Sequence, residues 1–307
     1  MIRLVEIRKA FRNDFLRRKR EVLRGLSFHV RRGETYALLG ENGAGKTTTM
    51  KILLGLIRPD GGTAVVDGVP ASVPRARARV GFLPEHPYFF PHLTGEELVR
   101  YYGRLSGLSA AEASAAADRQ LGRVRLGSAR ARRIRTYSKG MLQRLGFAQA
   151  LVADPEVLVL DEPLSGLDPV GRKEMRDLLL DLKRAGKSVF FSSHIIEDVE
   201  RLADRAGFLT DGRIGLEADG EGKKWIEVLA VGIDADASLA GDLEAERIVR
   251  EGERLLISVR TEKELPRLGE RVRARGGRIV RVEKRRETLE DLFVLNILSR
   301  PGARDPV

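Results

Sequence analysis

The sequence predicts an α/β domain with a largely parallel sheet, followed by a smaller α+β domain of ferredoxin-like order. Three observations predict it. Strand-length apolar runs alternate with helical patterns over residues 1–216. One run, Thr35–Leu39, enters a glycine-rich loop that opens a helix. Near residues 215–222 the composition turns polar and glycine-rich, and beyond it the pattern becomes β-α-β-β-α-β.

Residues 2–8 and 26–31 alternate apolar and polar positions, as half-buried strands do. Arg31-Arg32-Gly33-Glu34 is a turn ahead of the short buried strand Thr35–Leu39. The loop 40–45 leads into a helix over 46–56, and Pro59-Asp60-Gly61-Gly62 closes that unit. Residues 63–67 and 79–83 are strands. From about Leu93 to Leu126 the chain is helical and rich in Ala, Arg and Glu. This predicts an inserted helical subdomain over about 92–146, with a second helix starting after Ser138. Val157–Leu160 is a buried strand, 172–185 an amphipathic helix, 188–192 a strand and 195–203 a helix. A hairpin of 206–210 with 213–216 ends the first domain, so the boundaries are set at 1–216 and 217–307. In the second domain, 224–231, 245–251, 254–260 and 277–284 are strands, 235–241 and 262–275 are helices, and 289–297 is a terminal helix.

Composition bounds the function. Hydrophobic residues make up 42% and charged residues 32% of 307, a globular balance. No apolar run approaches the roughly 20 residues of a membrane helix. The start, MIRLVEIRKAF, has no apolar signal region, so no secretion is expected. Without cysteine there are no disulfides and no thiolate metal sites. A net charge of +11 and a pI near 10.1 favour anionic partners, or reflect arginine used as the solubilising charge.

Gly40-Glu41-Asn42-Gly43-Ala44-Gly45-Lys46-Thr47 has the spacing G-x-x-x-x-G-K-[ST]. Glycines let backbone N–H groups close around phosphate, and the following helix presents its positive end to the same anion. Lys46 reaches the β- and γ-phosphates, and Thr47 offers a hydroxyl to Mg²⁺. Val157–Leu160 then ends in Asp161 and Glu162. Asp161 suits a Mg²⁺ ligand, and Glu162 suits a residue that orients or deprotonates the attacking water. His194 follows another buried strand and is placed at the γ-phosphate, because strand ends at one sheet edge converge on one site.

With these motifs in order, residues 1–216 resemble the nucleotide-binding subunits of ABC transporters, which have a P-loop NTPase fold. Tyr137-Ser138-Lys139-Gly140-Met141, followed by Leu142-Gln143-Arg144, is similar to the ABC signature, whose usual form is LSGGQ. Ser165-Gly166-Leu167-Asp168 is similar to the D-loop, and His194 to the H-switch. The wording also resembles the exporter-type subgroup of antibiotic, lipid and polymer export systems. The resemblance implies an ATPase that binds ATP and Mg²⁺. Nucleotide contacts then fall to Gly40, Asn42, Gly43, Ala44, Gly45, Lys46, Thr47, Thr48, Glu85, Ser138, Gly140 and Asp168, and metal contacts to Thr47, Asp161 and Glu85. Lys46, Glu162 and His194 are the catalytic set. Two copies, or this chain and a paralogue, pair head to tail, so that Ser138 and the Gly140 N–H meet the γ-phosphate held by the other phosphate loop. Lys139 and Met141 depart from the usual signature, and Glu85 stands where glutamine is usual. Phe11 is the aromatic expected to stack on adenine, with Phe15 as a rival.

A transmembrane permease subunit, encoded as a separate chain, is the expected partner. It places this chain in the cytoplasm, peripheral on the inner face of the membrane. Pro87-Tyr88-Phe89-Phe90-Pro91 is either a docking surface for that subunit or packing inside the helical subdomain. The arginines from Arg119 to Arg135 form either a surface for acidic headgroups or a solvated helical face. The alternative function is a soluble ABC ATPase acting on nucleic acid or ribosomes. It is disfavoured, because only one signature is present and only about 90 residues separate Lys46 from it, too few for a long coiled coil.

Overall fold

A computed structural model describes residues 1–12, 19–219, 224–233, 245–252, 254–286 and 289. The chain divides into two units, Met1–Gly220 and Glu221–Leu295.

In the first unit, β1 (Ile2–Arg12) and β2 (Lys19–Val30) form an antiparallel pair. β3 (Thr35–Leu39) then runs through the glycine-rich loop into α1 (Lys46–Leu53). β4 (Gly61–Val66), β5 (Val69–Pro70) and β6 (Val80–Leu83) follow. Three helices come next: α2 (Gly95–Leu105), α3 (Ala110–Arg123) and α4 (Lys139–Leu151). The chain returns as β7 (Val157–Leu160), α5 (Pro169–Arg184), β8 (Ser188–Ser193), α6 (Ile196–Leu202), β9 (Arg205–Thr210) and β10 (Arg213–Asp219).

These strands build two sheets. One is antiparallel, in the order β2-β1-β4-β5. The other has the order β10-β9-β3-β8-β7-β6 and is parallel except for β10. Every residue of β3, β7 and β8 is buried, as expected of strands covered on both faces. Phe28 and Tyr36 stack at 5.1 Å beside Phe190 in the core. The Tyr36 hydroxyl donates to Glu217 Oε1 at 2.6 Å, and Arg205 bridges Glu34 and Glu217. Burial, with the Glu217 carboxylate adding to it, pushes the Tyr36 hydroxyl far above its usual pKa.

Four helices, α2, α3, α4 and α5, start where a capping side chain stands. Thr94 and Ser109 each accept a bond from the third helical N–H, while Glu97 and Glu112 bond back to the cap. Ser138 caps α4 and Asp168 caps α5 ahead of Pro169. Several arginines of the expected basic stretch are engaged within the chain. Arg130 binds Glu96 and Asp118, Arg133 binds Glu97, and Arg125 binds Glu174.

In the second unit, β11 (Lys224–Val231), β12 (Ala245–Glu251), β13 (Arg254–Val259) and β14 (Arg278–Arg286) form a sheet in the order β12-β13-β11-β14. All its pairs are antiparallel, which is the ferredoxin-like order. α7 (Leu265–Ala274) buries Leu268 and Val272 among Ile226, Val228 and Ile257. The helix expected over 235–241, the terminal helix past Leu289, and Phe15 lie outside the described residues.

Some extents differ from expectation. β1 and β2 are longer than 2–8 and 26–31 because the pairing shifts register three times between them. Glu6 (φ 52) and Gly25 (φ 100) lie in these irregular stretches, so that Leu23 and Leu26 are both buried although three residues apart. That spacing hides a strand from any period-two test. α4 runs past residue 146 to Leu151, and β10 past residue 216 to Asp219.

Candidate functional site

The carboxyl ends of β3, β6, β7 and β8 share one edge of the parallel sheet, because all four strands run in the same direction. That edge receives the glycine-rich loop after β3, Glu85 after β6, Asp161 and Glu162 after β7, and His194 after β8.

The loop's backbone requires its glycines at two points. Gly43 and Gly45 have φ of 83° and 114°, and a Cβ on Gly45 would fall 2.8 Å from Leu23 Cδ2. Lys46 folds back under the loop. Its Nζ donates to Gly40 O at 2.6 Å and lies 3.1 Å from Glu162 Oε1. The other oxygen of Glu162 is 2.9 Å from His194 Nδ1. Glu162 thus stands between an ammonium and an imidazole, with Lys46 and Glu162 both buried and His194 about half exposed.

Asp161 is buried and accepts from Ser192 Oγ at 2.6 Å. Its carboxylate and Thr47 line the same cleft, an oxygen-donor pair that suits a hard cation such as Mg²⁺. Among the described residues no group of three or more His, Cys, Asp or Glu side chains could hold a metal by itself, so such a cation needs further oxygens from its ligand.

The cleft has a volume of about 560 Å³. Its walls include Asn42, Gly43, Gly45, Lys46, Thr47, Thr48, Glu85, Asp161 and Glu162, with Phe11 toward one end of β1. Phe11 is 43% exposed, and Lys9 Nζ sits 5.5 Å from its ring centroid. Gly40 and Ala44 do not line the cleft: the carbonyl of Gly40 holds Lys46, and Ala44 packs toward the core. The sequence reading missed Arg20 and Val22, which also line it. Arg20 stands opposite Phe11 in the β1–β2 register, so the longer strand pair brings it there. The basic run preceding Glu21 was the available signal.

Other predicted residues lie outside this cleft. Ser138 is exposed at the start of α4, where its Oγ accepts from Met141 N, and neither it nor Gly140 lines the cleft. Asp168 Oδ1 accepts from Gly171 N and is likewise outside it. A smaller hollow of about 250 Å³ reaches Glu162 and is lined by Ser165, Gly166, Leu167 and His194. Of the aromatic cluster, Phe89 is packed inside, whereas Tyr88 is 89% exposed and Phe90 meets Tyr101 edge to face. Burial and exposure thus differ from residue to residue within that cluster.

A family model described as ABC transporter matches residues 23–165. An ABC transporter ATP-binding protein of Synechocystis is 47% identical over 212 residues, covering 68% of this chain and 60% of that protein. A Nod factor export ATP-binding protein I of Burkholderia lata is 45% identical, covering 62% of this chain and 64% of that protein. The match thus spans about three fifths of these relatives' own lengths. A solved ATP-binding subunit of an ABC transporter is 30% identical with a TM-score of 0.65, covering 71% of this chain and 90% of that one. A dimeric ATP-binding cassette in a post-hydrolysis state with ADP and Pi shares the fold at 23% identity and a TM-score of 0.67, covering 72% of this chain and all of that one.

Proposed function

The chain belongs to the ABC transporter ATP-binding proteins, an ATPase family, and from that premise we propose that it powers a membrane exporter as one half of an ATP-closed dimer. One observation carries the reading. Lys46, Glu162 and His194 meet at a single sheet edge beside the phosphate loop, while Ser138 and Gly140 stand outside that cleft. A signature that stands outside its own chain's cleft fits one that reaches a neighbour's nucleotide.

The chemistry follows from the residues. The phosphate-loop N–H groups and the start of α1 bind the phosphates, and Lys46 carries positive charge to the β- and γ-oxygens. Thr47 and Asp161 would hold Mg²⁺, which neutralises charge on those oxygens when bound. Glu162 takes up or orients the proton of the attacking water, and His194 fixes that carboxylate from its far oxygen. Phe11 offers a ring face to adenine. In the second copy, Ser138 and the N-terminus of α4 present donors to the γ-phosphate. ATP then joins two copies, and its cleavage separates them. The export assignment draws on relatives such as the Nod factor export protein. None of the described helices is long and apolar enough to cross a membrane. In this reading a separate permease forms the pathway, and this chain sits on its cytoplasmic side. Tyr88, Phe90 and Tyr101 offer that permease an exposed aromatic surface.

Two variants test the motor. Lys46→Ala loses most ATPase activity. Glu162→Gln slows cleavage by about a hundredfold or more and accumulates, with Mg-ATP, as a dimer by light scattering. Wild-type turnover in either variant, or a Glu162→Gln chain that stays monomeric beside its permease, overturns the reading. Co-purification of an integral membrane protein tests the exporter assignment, and its absence from solubilised membranes counts against it.

A further inference from the structure

Glu162 is held in a backbone conformation that its side chain disfavours. Its φ is 48°, in the left-handed region, which a non-glycine residue keeps only where its surroundings enforce it. Its peptide is gripped from two directions. On one side Glu162 N donates to Ser192 Oγ at 2.8 Å, and that hydroxyl donates onward to Asp161. On the other, Gln143 Nε2 donates to Pro163 O at 3.0 Å and lies 3.5 Å from Glu162 O. Both Gln143 and Ser192 are buried. A buried amide in a helix is costly unless it is bonded, and this one directs its N–H groups at the carbonyls of the strained residue and of its successor.

Gln143 belongs to α4, the helix that begins at Lys139 after the cap Ser138. We propose that Gln143 is a positioning residue for Glu162, tying the carboxylate's peptide to the signature helix so that the grip at Ser138 and the aim of Glu162 are mechanically one. The inference rests on the proposed ATPase reading. In it, Gln143 touches neither nucleotide nor water. It keeps Glu162 left-handed, so that the carboxylate projects between Lys46 and His194 rather than turning away. Displacement of a reacting group by about 1 Å costs up to about a hundredfold in rate.

The test compares the full chain with Gln143→Met, which keeps the length and volume but removes the donors, and with Ser192→Ala, which removes the other grip. Turnover and ATP affinity are measured separately, alongside the melting temperature. The expected result for each variant is a kcat lower by about ten- to a hundredfold, with ATP affinity within about twofold of wild type. A packing role alone predicts near-normal turnover in Gln143→Met, because Met fills the same space. Normal kcat in a folded Gln143→Met overturns the proposal, and so does a loss of ATP affinity equal to the loss of rate. If Gln143→Met does not fold, normal kcat in Ser192→Ala overturns the claim that Glu162 must be held. Glu162→Gln run in parallel separates the two readings. If it turns over like wild type, the ATPase reading itself has failed; if it is inactive while Gln143→Met is not, only this inference has.

Discussion

At the scale of single residues, Phe11 shows how a side chain is set apart for a ligand. Phe28, Tyr36, Phe147, Phe190 and Phe191 are all buried in the core. Phe11 instead lies open at the cleft with a lysine near its face. Stacking of a base on an aromatic ring contributes about 1–3 kcal/mol. Phe11→Ala is therefore expected to raise the KM for ATP by about five- to a hundredfold while leaving kcat nearly unchanged, and Phe11→Tyr restores the KM. Steady-state kinetics over a range of ATP concentrations checks this, and an unchanged KM in Phe11→Ala removes the ring from the binding account. Asp161, Glu162 and His194 were legible as types because each follows the end of an apolar strand, and Lys46 because it closes the glycine-rich loop at the start of α1. Gln143 and Ser192 were not. A glutamine inside a helix and a serine inside a strand have ordinary identities, and only the backbone angle of Glu162 shows what they hold.

At the scale of elements, α2, α3, α4 and α5 start at visible caps, whereas the first two strands conceal themselves. Ser109 with Glu112 and Thr94 with Glu97 are readable pairs, and Pro169 follows its cap directly. The β1–β2 pair breaks its own alternation at Glu6 and Gly25, so its far end, with Arg20 and Val22 at the cleft, escaped a reading based on period two. The join between α5 and α6 was also unreadable. Asp198, buried on α6, receives Arg172 Nη2 at 2.5 Å and Arg176 at 3.4 Å from α5. These residues are more than twenty positions apart, and nothing local marks them as partners. Removing one member of a buried pair leaves the other charges uncompensated. The arginines keep partial access to water, so Asp198→Ala is expected to destabilise the first unit by about 2–3 kcal/mol. Chemical denaturation with the m-value monitored is the check, and a change below about 0.5 kcal/mol would mean that the arginines simply turn to solvent.

At the scale of the whole molecule, the second unit's strand order followed from its pattern, because four strands and a helix of clear period leave few arrangements. The first unit carries a different lesson in its central strand. β3 takes both of its neighbours, β8 and β9, from chain that follows it by about 150 residues or more. A nascent polypeptide emerging from the ribosome thus has its phosphate loop early and the flanks of that loop's strand very late. Until roughly residue 193 has cleared the exit, β3 has no lateral hydrogen bonds in its sheet, and its second neighbour, β9, arrives later still. A chain stopped at residue 187, before β8, is expected to aggregate and to retain no nucleotide in filter binding, despite keeping every residue of the phosphate loop and both carboxylates after β7. Tight nucleotide retention by that fragment would show that the loop can form without its sheet. Synthesis of this protein is accordingly a wager placed early and settled late: the part that recognises ATP is made first and becomes competent only when β8 and β9, near the end of its own unit, arrive.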